Sequence, residues 1–342
     1  MNTLELVTKL ANLRGVSGRE QSAAQVVCEL LKPYASDAVC RDGSVIGHLG
    51  GQKNPEKPTL LLCAHLDQVG FLVTDITEDG FLRIGNVGGI DRRLLLGQSV
   101  TIMGKEPYFG VISILPPHLL QGEQAVPDMG KLCVDTGFSS ADALKGKIRR
   151  GDAVYFRTEC KPLLNDLVTG SALDDRCGVA SLILTAEKLA NAGDLPCNVA
   201  FLCSAQEERG GKGAITIARL EQADYAIAVD VTFATSENDA GTSCFALGGG
   251  PAIGISAVLD ADLSNALTAT AENAKIPYQL EIMPEDTGTD ADSLALATNG
   301  GAKAATVSIP QRNMHTPVEI ISLRDVEQTA ALLAAYAKEC GQ

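Results

Sequence analysis

Four apolar runs, residues 59–63, 198–203, 226–229 and 304–309, are each followed directly or after a short loop by residues that can bind metal. These are His65 with Asp67, the pair Glu207-Glu208, Asp230, and His315. The run at 59–63, bounded by Pro58 and the polar His65, has the pattern of a central strand buried on both faces in a parallel or mixed sheet. Helical patterns separate the runs: an amphipathic one at 177–189, then 213–220, 261–274, 290–297 and 322–339. Alternation of this kind specifies an α/β fold. In open α/β sheets, ligand sites lie outside the carboxyl ends of the strands. These residues, far apart in sequence, are therefore expected to converge on one edge of the sheet.

The chain opens with two helical patterns, the first stopped by Gly15 and the second, at about 19–31, ended by Pro33. Strands are predicted at 38–41, at 45–49 after an Asp42-Gly43 turn, and at 278–283. Ser322, with Asp325 three residues on, reads as a capping-box-like entry to the last helix. From 69 to 164 the texture changes to short β segments (70–76, 81–84, 99–103, 108–115, 152–156) split by Gly, Pro and Asp turns, with one short helix near 139–144. The expected architecture is a mixed central sheet flanked by helices, formed by residues 1–68 and 165–342, carrying an inserted β-rich domain at 69–164.

A net charge of −14 argues against nucleic acid or an anionic membrane as partner, since both require a basic footprint. No basic segment followed by an apolar one marks the N-terminus as a signal peptide, and no apolar stretch reaches the length of a membrane span. The ten cysteines include no C-x-x-C pair, and Cys63 and Cys203 sit inside apolar runs. They read as reduced core thiols of a soluble cytoplasmic protein.

Each candidate residue carries a bland reading beside a chemical one. His65 and Asp67, two apart on an extended backbone, face the same way, so Asp67 can accept the ring N–H of a metal-bound imidazole; otherwise Asp67 caps a turn. Asp174-Asp175 before the helix is either an acidic N-cap or a carboxylate bridging two ions, with Asp175 as cap or support. Glu207-Glu208 is either an exposed acidic loop or a ligand beside a general base, and two like charges at a strand end call for a cation. Asp230 reads as a turn residue or a ligand, and His315 lies in a polar loop before Pro317. His48 and His118 lack an acidic partner at useful spacing and are expected to be ordinary surface or loop histidines. Two histidines and several carboxylates match what two zinc-like ions sharing a bridging carboxylate require.

Taken together, these motifs resemble the TET-type (tetrahedral-assembly) dinuclear metallo-aminopeptidases, which include glutamyl, leucyl and lysyl enzymes and some members labelled endoglucanases. The resemblance runs from Gly15-Val16-Ser17-Gly18-Arg19-Glu20 through His65-Leu66-Asp67, Asp174-Asp175-Arg176, Gln206-Glu207-Glu208 and Val229-Asp230 to Met314-His315-Thr316-Pro317-Val318-Glu319. It implies a zinc-exopeptidase type of fold with a PDZ-like dimerisation insert, assembling into tetrahedral dodecamers. It implies His65, Asp174 and Asp230 around one ion and Asp174, Glu208 and His315 around the other. Glu207 becomes the general base, and Asp67 the group behind His65. Two divalent ions per chain are implied, zinc first, with cobalt or manganese as alternatives. The chain departs from the family at Arg209-Gly210-Gly211-Lys212-Gly213, where a small apolar residue and a glycine are usual. Arg209 and Lys212 either favour an acidic N-terminal residue in the substrate or point into solvent.

The expected reaction is release of the N-terminal residue from peptides. A glycoside hydrolase is the alternative from another class. It requires two carboxylates flanking a sugar, gives no role to the histidines, and lacks here any Trp for stacking. A metal-dependent deacylase or carboxypeptidase would share the metal ligands. A degenerate member retained for assembly or binding would lack the ions.

Overall fold

The computed structural model describes residues 1–114, 127–237, 244–297 and 302–341; His118 lies outside them. Among the described residues, eleven strands form one sheet and six others close a barrel. At the centre of the sheet, Asn198–Ser204, Thr59–His65, Tyr225–Phe233 and Lys303–Arg312 lie side by side and parallel. Ser44–His48 flanks them antiparallel on one side, and Glu319–Ser322 and Leu167–Gly170 extend the other. A branch, Ala252–Ser256 with Gln279–Met283, pairs with Lys303–Arg312.

Residue parity divides the core. Leu60, Leu62 and Ala64 of the central strand pack with helices Thr3–Ala11, Gln21–Leu31 and Leu173–Leu189. Leu61 and Cys63 face the other way, onto Ala214, Ile217 and Leu294 of helices Lys212–Glu221 and Asp290–Ala297. Helices on both faces explain why the central strands are continuously apolar.

The expected amphipathic helix at 177–189 is corrected. Leu173–Leu189 is buried at every position except Glu187 and Lys188, held between the central strands and helices Thr3–Ala11 and Leu323–Ala337. Two of its polar residues bond to the helix's own backbone: Ser181 donates to the Gly178 carbonyl and Thr185 to the Ser181 carbonyl, each at 2.7 Å. The last helix is also entered differently. Ser322 accepts from the Arg324 N–H, but the Asp325 carboxylate accepts from the N–H groups of Gly248 and Gly250, at 2.7 and 2.9 Å, instead of closing a capping box. Strands Cys133–Asp135, Lys161–Pro162, Leu167–Gly170, Ala252–Ser256 and Glu319–Ser322 add to those expected.

Between Gly70 and Phe156 six strands close the barrel. Its interior follows the period of two expected of small barrels: Phe71 and Val73, Leu82 and Ile84, Val100 and Ile102, Val154 and Phe156 all point inward. Phe71 and Phe156 meet edge to face at 5.3 Å between ring centroids.

His48 is not an ordinary surface histidine. Its Nδ1 lies 2.6 Å from Asp37 and its Nε2 2.9 Å from Glu221, which Lys53 also reaches at 3.0 Å. The hydrogen bond to Glu221 raises the imidazole above its ordinary value against the opposing effect of burial, and the same bond pulls the Glu221 carboxyl down to about 2. A raised histidine contributes stability fully below its unfolded value, about 6.5, and loses it as pH rises through the folded value. A depressed glutamate contributes above about 4.3 and loses it as pH falls towards 2. Glu221→Gln is therefore expected to cost about 2 kcal/mol at pH 6 and less at pH 10, because the contribution declines as rising pH takes the proton from His48. Thermal melts at the two pH values check this, and an equal loss at both would remove His48 from the account.

Candidate metal centre

The strands deliver the candidate residues to one level. Ser204 pairs with His65 and Val229 with Ala64, so Asp230 lies one residue past its pairing with the central strand, beside His65. His65 is the last residue of its strand, whereas Asp230, expected at a strand end, lies inside Tyr225–Phe233. Asn198–Ser204 and Tyr225–Phe233, the next two parallel strands of the sheet, pair on opposite sides of Thr59–His65, the reversal at which open sheets leave a crevice. Tyr225–Phe233 and Lys303–Arg312 run on past that level and wall one side of it.

Asp174 sits in the middle. One carboxylate oxygen is 3.0 Å from His65 Nε2 and the other 3.2 Å from His315 Nε2. Asp230 stands 3.9 Å from His65 Nε2, and Glu208 3.3 Å from His315 Nε2. Two triplets result, His65–Asp174–Asp230 and Asp174–Glu208–His315, each with its ligand atoms within 4.8 Å of one another. The Nδ1–H of His65 donates to the Asp67 carbonyl at 3.1 Å, and the Asp67 carboxylate lies 3.7 Å away. That leaves Nε2 facing the carboxylates, the tautomer a metal ligand needs.

Supporting groups hold these side chains. The Asp174–Asp175 peptide is cis, and both residues depart from helical geometry. Asp175 accepts from the N–H of Gly178 at 3.0 Å and of His65 at 3.1 Å, acting as both helix cap and strand-end anchor. Glu319 accepts from the N–H groups of Leu173 and Asp174 at 2.7 and 3.2 Å. Gln206 turns left-handed (φ 61°), and the next N–H groups are taken in order. Glu20 accepts from Gln206 at 3.2 Å, while the two oxygens of Asp67 accept from Glu207 at 3.0 Å and Glu208 at 3.2 Å. Fully buried Arg176 supplies positive charge toward Asp67 and Glu20 and donates to the Leu10 carbonyl at 3.0 Å. The barrel reaches in as well: a Cβ on Gly88 would come 3.0 Å from Glu208 Oε2, and one on Gly89 3.2 Å from His315 Nδ1. Glu20, Glu319, Arg176 and Gly88-Gly89 were not singled out from the sequence for these tasks. The first three lie within the motif segments, but their partners are remote in sequence.

The electrostatics are those of a centre built for cations. Burial pushes the carboxyl of Asp230 well above the ordinary range and that of Glu207 up to about 8; His65 opposes both, and neighbouring carboxylates add to the rise. Asp174 is held well below the carboxylate range because hydrogen bonds from His315 and His65 overcome its burial. Hydrogen bonds to Asp174 and Glu208 hold His315 up at about 11 despite burial. The histidines thus stand in for positive charge that the crowded carboxylates demand. Nitrogen and carboxylate donors in two triplets sharing Asp174 suit a pair of divalent ions.

The sequence matches the M42 glutamyl aminopeptidase family over residues 43–332. The chain belongs to the M42 family. This M42 peptidase is 32% identical over 342 residues to a lysyl aminopeptidase of Pyrococcus furiosus, covering 98% of this chain and 96% of that one. Among solved structures, aminopeptidase APDkam598 of Desulfurococcus kamchatkensis superposes with a TM-score of 0.90 at 34% identity, over 99% of this chain and 95% of that one. The TET1 peptidase of Pyrococcus horikoshii, which can assemble into a tetrahedron or a large octahedral shell, gives 0.87 at 31%, over 99% and 100%. The M42 chain is accordingly a peptidase hydrolase. Among its described residues no helix is long and apolar enough to cross a membrane.

A cleft of about 430 Å³ opens beside the M42 centre, lined by the five ligand candidates, Glu207, strand residues up to Phe233, Glu281, the 287–289 turn and Met314. Arg209 and Lys212 are exposed and take no part in its walls.

Proposed function

We propose that the chain is a dinuclear metal-dependent aminopeptidase that removes the N-terminal residue from peptides. Asp174 carries this reading: its two oxygens address two histidines on opposite sides, as a bridging carboxylate must. His65 and Asp230 would complete one ion's ligands, and Glu208 and His315 the other's. Zinc suits this donor set, with cobalt or manganese able to replace it. Bound ions would polarise the scissile carbonyl and lower the pKa of a water held between them. Glu207, beside Glu208 on the turn anchored by Asp67, would serve as the general base, accepting a proton from the attacking water and returning it to the leaving amine. Carboxylates crowded about two histidines fit this chemistry better than the separated pair of a glycosidase.

We divide the chain into a catalytic part, 1–68 with 165–342, and an insert, 69–164, to which we assign a PDZ-like dimerisation role. Assembly into dodecamers, like that of the tetrahedral relatives, and a cytoplasmic setting belong to the same reading.

The test combines metal analysis with N-terminal blocking. Two ions per chain are expected, with chelation abolishing release of amino acids from free peptides, and N-acetylated peptides resisting cleavage. Cleavage of acetylated peptides, or release from the C-terminus, would point to the deacylase or carboxypeptidase. Cellulose hydrolysis that survives demetallation would restore the glycosidase, and absence of both ions the non-enzymatic reading.

A further inference from the structure

We propose that Cys197 and Cys340 form a reversible dithiol, oxidised by hydrogen peroxide to a disulfide that ties the turn after the last helix to the head of strand Asn198–Ser204. Both cysteines are free and buried, at 4% and 1% exposure. Pro58 brings their backbones together. The N–H of Asn198 donates to the Pro58 carbonyl at 2.8 Å, and a Cβ on Gly341 would come 3.0 Å from Pro58 Cγ. The Cys197 S–H has two acceptors, the Ala337 carbonyl at 3.5 Å and the Cys340 sulfur. The Cys340 sulfur also accepts from the Tyr336 hydroxyl. Sulfurs in hydrogen-bond contact need only a small shift to reach the ~2.05 Å of a disulfide. That shift falls on a turn in which Lys338, Glu339 and Gly341 are exposed and Cys340 alone is buried.

The surroundings favour a thiolate on one sulfur and a resolving thiol on the other. Hydrogen bonds from Cys197 and Tyr336 draw Cys340 below the ordinary thiol value against the opposing effect of burial, while Cys197, the donor, is raised. Lys57 adds positive charge beside Cys197. Cys197 also lines an open cleft of about 570 Å³, so a small oxidant reaches the pair without entering the core. Fully buried Cys63, Cys177 and Cys203 lack this access, and burial pushes their thiols up. Cys28 and exposed Cys40 are a second neighbouring pair, but burial and Cys28 hold the Cys40 thiol up at about 11. The Cys340 thiolate attacks one peroxide oxygen; the O–O bond breaks, hydroxide leaves, and Cys340 becomes a sulfenic acid. The Cys197 sulfur then displaces hydroxide from that acid to form the S–S bond. Its proton, and the one Cys340 shed, turn the two hydroxides into water. Two thiols are oxidised and one peroxide reduced, and an external dithiol reverses the change. The ring so closed, residues 197–340, carries Glu207, Glu208, Asp230 and His315. Oxidation therefore restricts the unfolded chain in the segment that supplies most of the centre.

The experiment treats the reduced, zinc-loaded full chain with hydrogen peroxide and reads intact mass, a peptide map and melting temperature. A loss of about 2 Da, a Cys197–Cys340 cross-link and a melting temperature about 5 °C higher are expected, all reversed by dithiothreitol. Cys340→Ser should abolish all three. Cys197→Ser should leave Cys340 stalled as the sulfenic acid, which dimedone labels. A reduced variant that melts within about 2 °C of the wild type has kept its fold, and the wild-type map needs no variant at all. No intramolecular disulfide in the wild type, a map that joins Cys28 to Cys40 instead, or a folded Cys197→Ser chain with no label on Cys340 overturns the proposal.

Discussion

Replacing Glu207 with glutamine should leave both ions bound and lower kcat by about 10²–10⁴-fold. An amide of the same shape preserves the turn, because the anchoring bonds come from the backbone N–H groups of residues 206 to 208 and not from the Glu207 side chain. It cannot, however, take a proton. Glu207 belongs to neither ligand triplet, so elemental analysis should return the wild-type metal content. KM should change little, since the lost interaction is one made in the transition state. A variant turning over at the wild-type rate would end the role assigned to Glu207, and one that lost metal would make Glu207 a ligand instead.

For Asp174→Asn the expected loss is larger and of a different kind. An amide offers one acceptor oxygen and one donor, so it can serve His65's side or His315's side of the centre but not both. Less than two ions per chain should remain, with activity down by more than about 10³-fold. The rise in melting temperature on metal loading should shrink correspondingly, a readout independent of turnover. Asp230→Asn is the matched control: Asp230 approaches His65 alone, so this variant should retain the ion held by Glu208 and His315. If Asp174→Asn and Asp230→Asn each lose the same single ion, Asp174 does not bridge.

The central strands were legible because burial on both faces leaves a continuous apolar run, a pattern little else produces. The ligand candidates were legible for a related reason: a charged or imidazole side chain directly after such a run marks where the strand leaves the core. That rule misplaced Asp230, which interrupts the apolar pattern without ending the strand, since Val231-Thr232-Phe233 continue it. Helix Leu173–Leu189 was misread because Ser181 and Thr185 imitate a solvent face while bonding to their own backbone. Groups that work through remote partners gave no local signal. Glu20 reaches Gln206 across 186 residues and His48 reaches Glu221 across 173, distances over which spacing carries no information. The short strands Cys133–Asp135 and Lys161–Pro162 hold too few residues for any period to emerge.

The odd and even positions of Thr59–His65 serve two separate layers of helices, and His65 continues the odd series of Leu61 and Cys63. A chain that paired this strand one residue out of register would exchange the two layers' contacts and turn His65 away from Asp174 in the same step. Correct packing and a competent centre are therefore a single event for this molecule. Titration of a partly refolded population with metal should count only correctly registered chains, so that the fraction binding tightly reports the fraction folded.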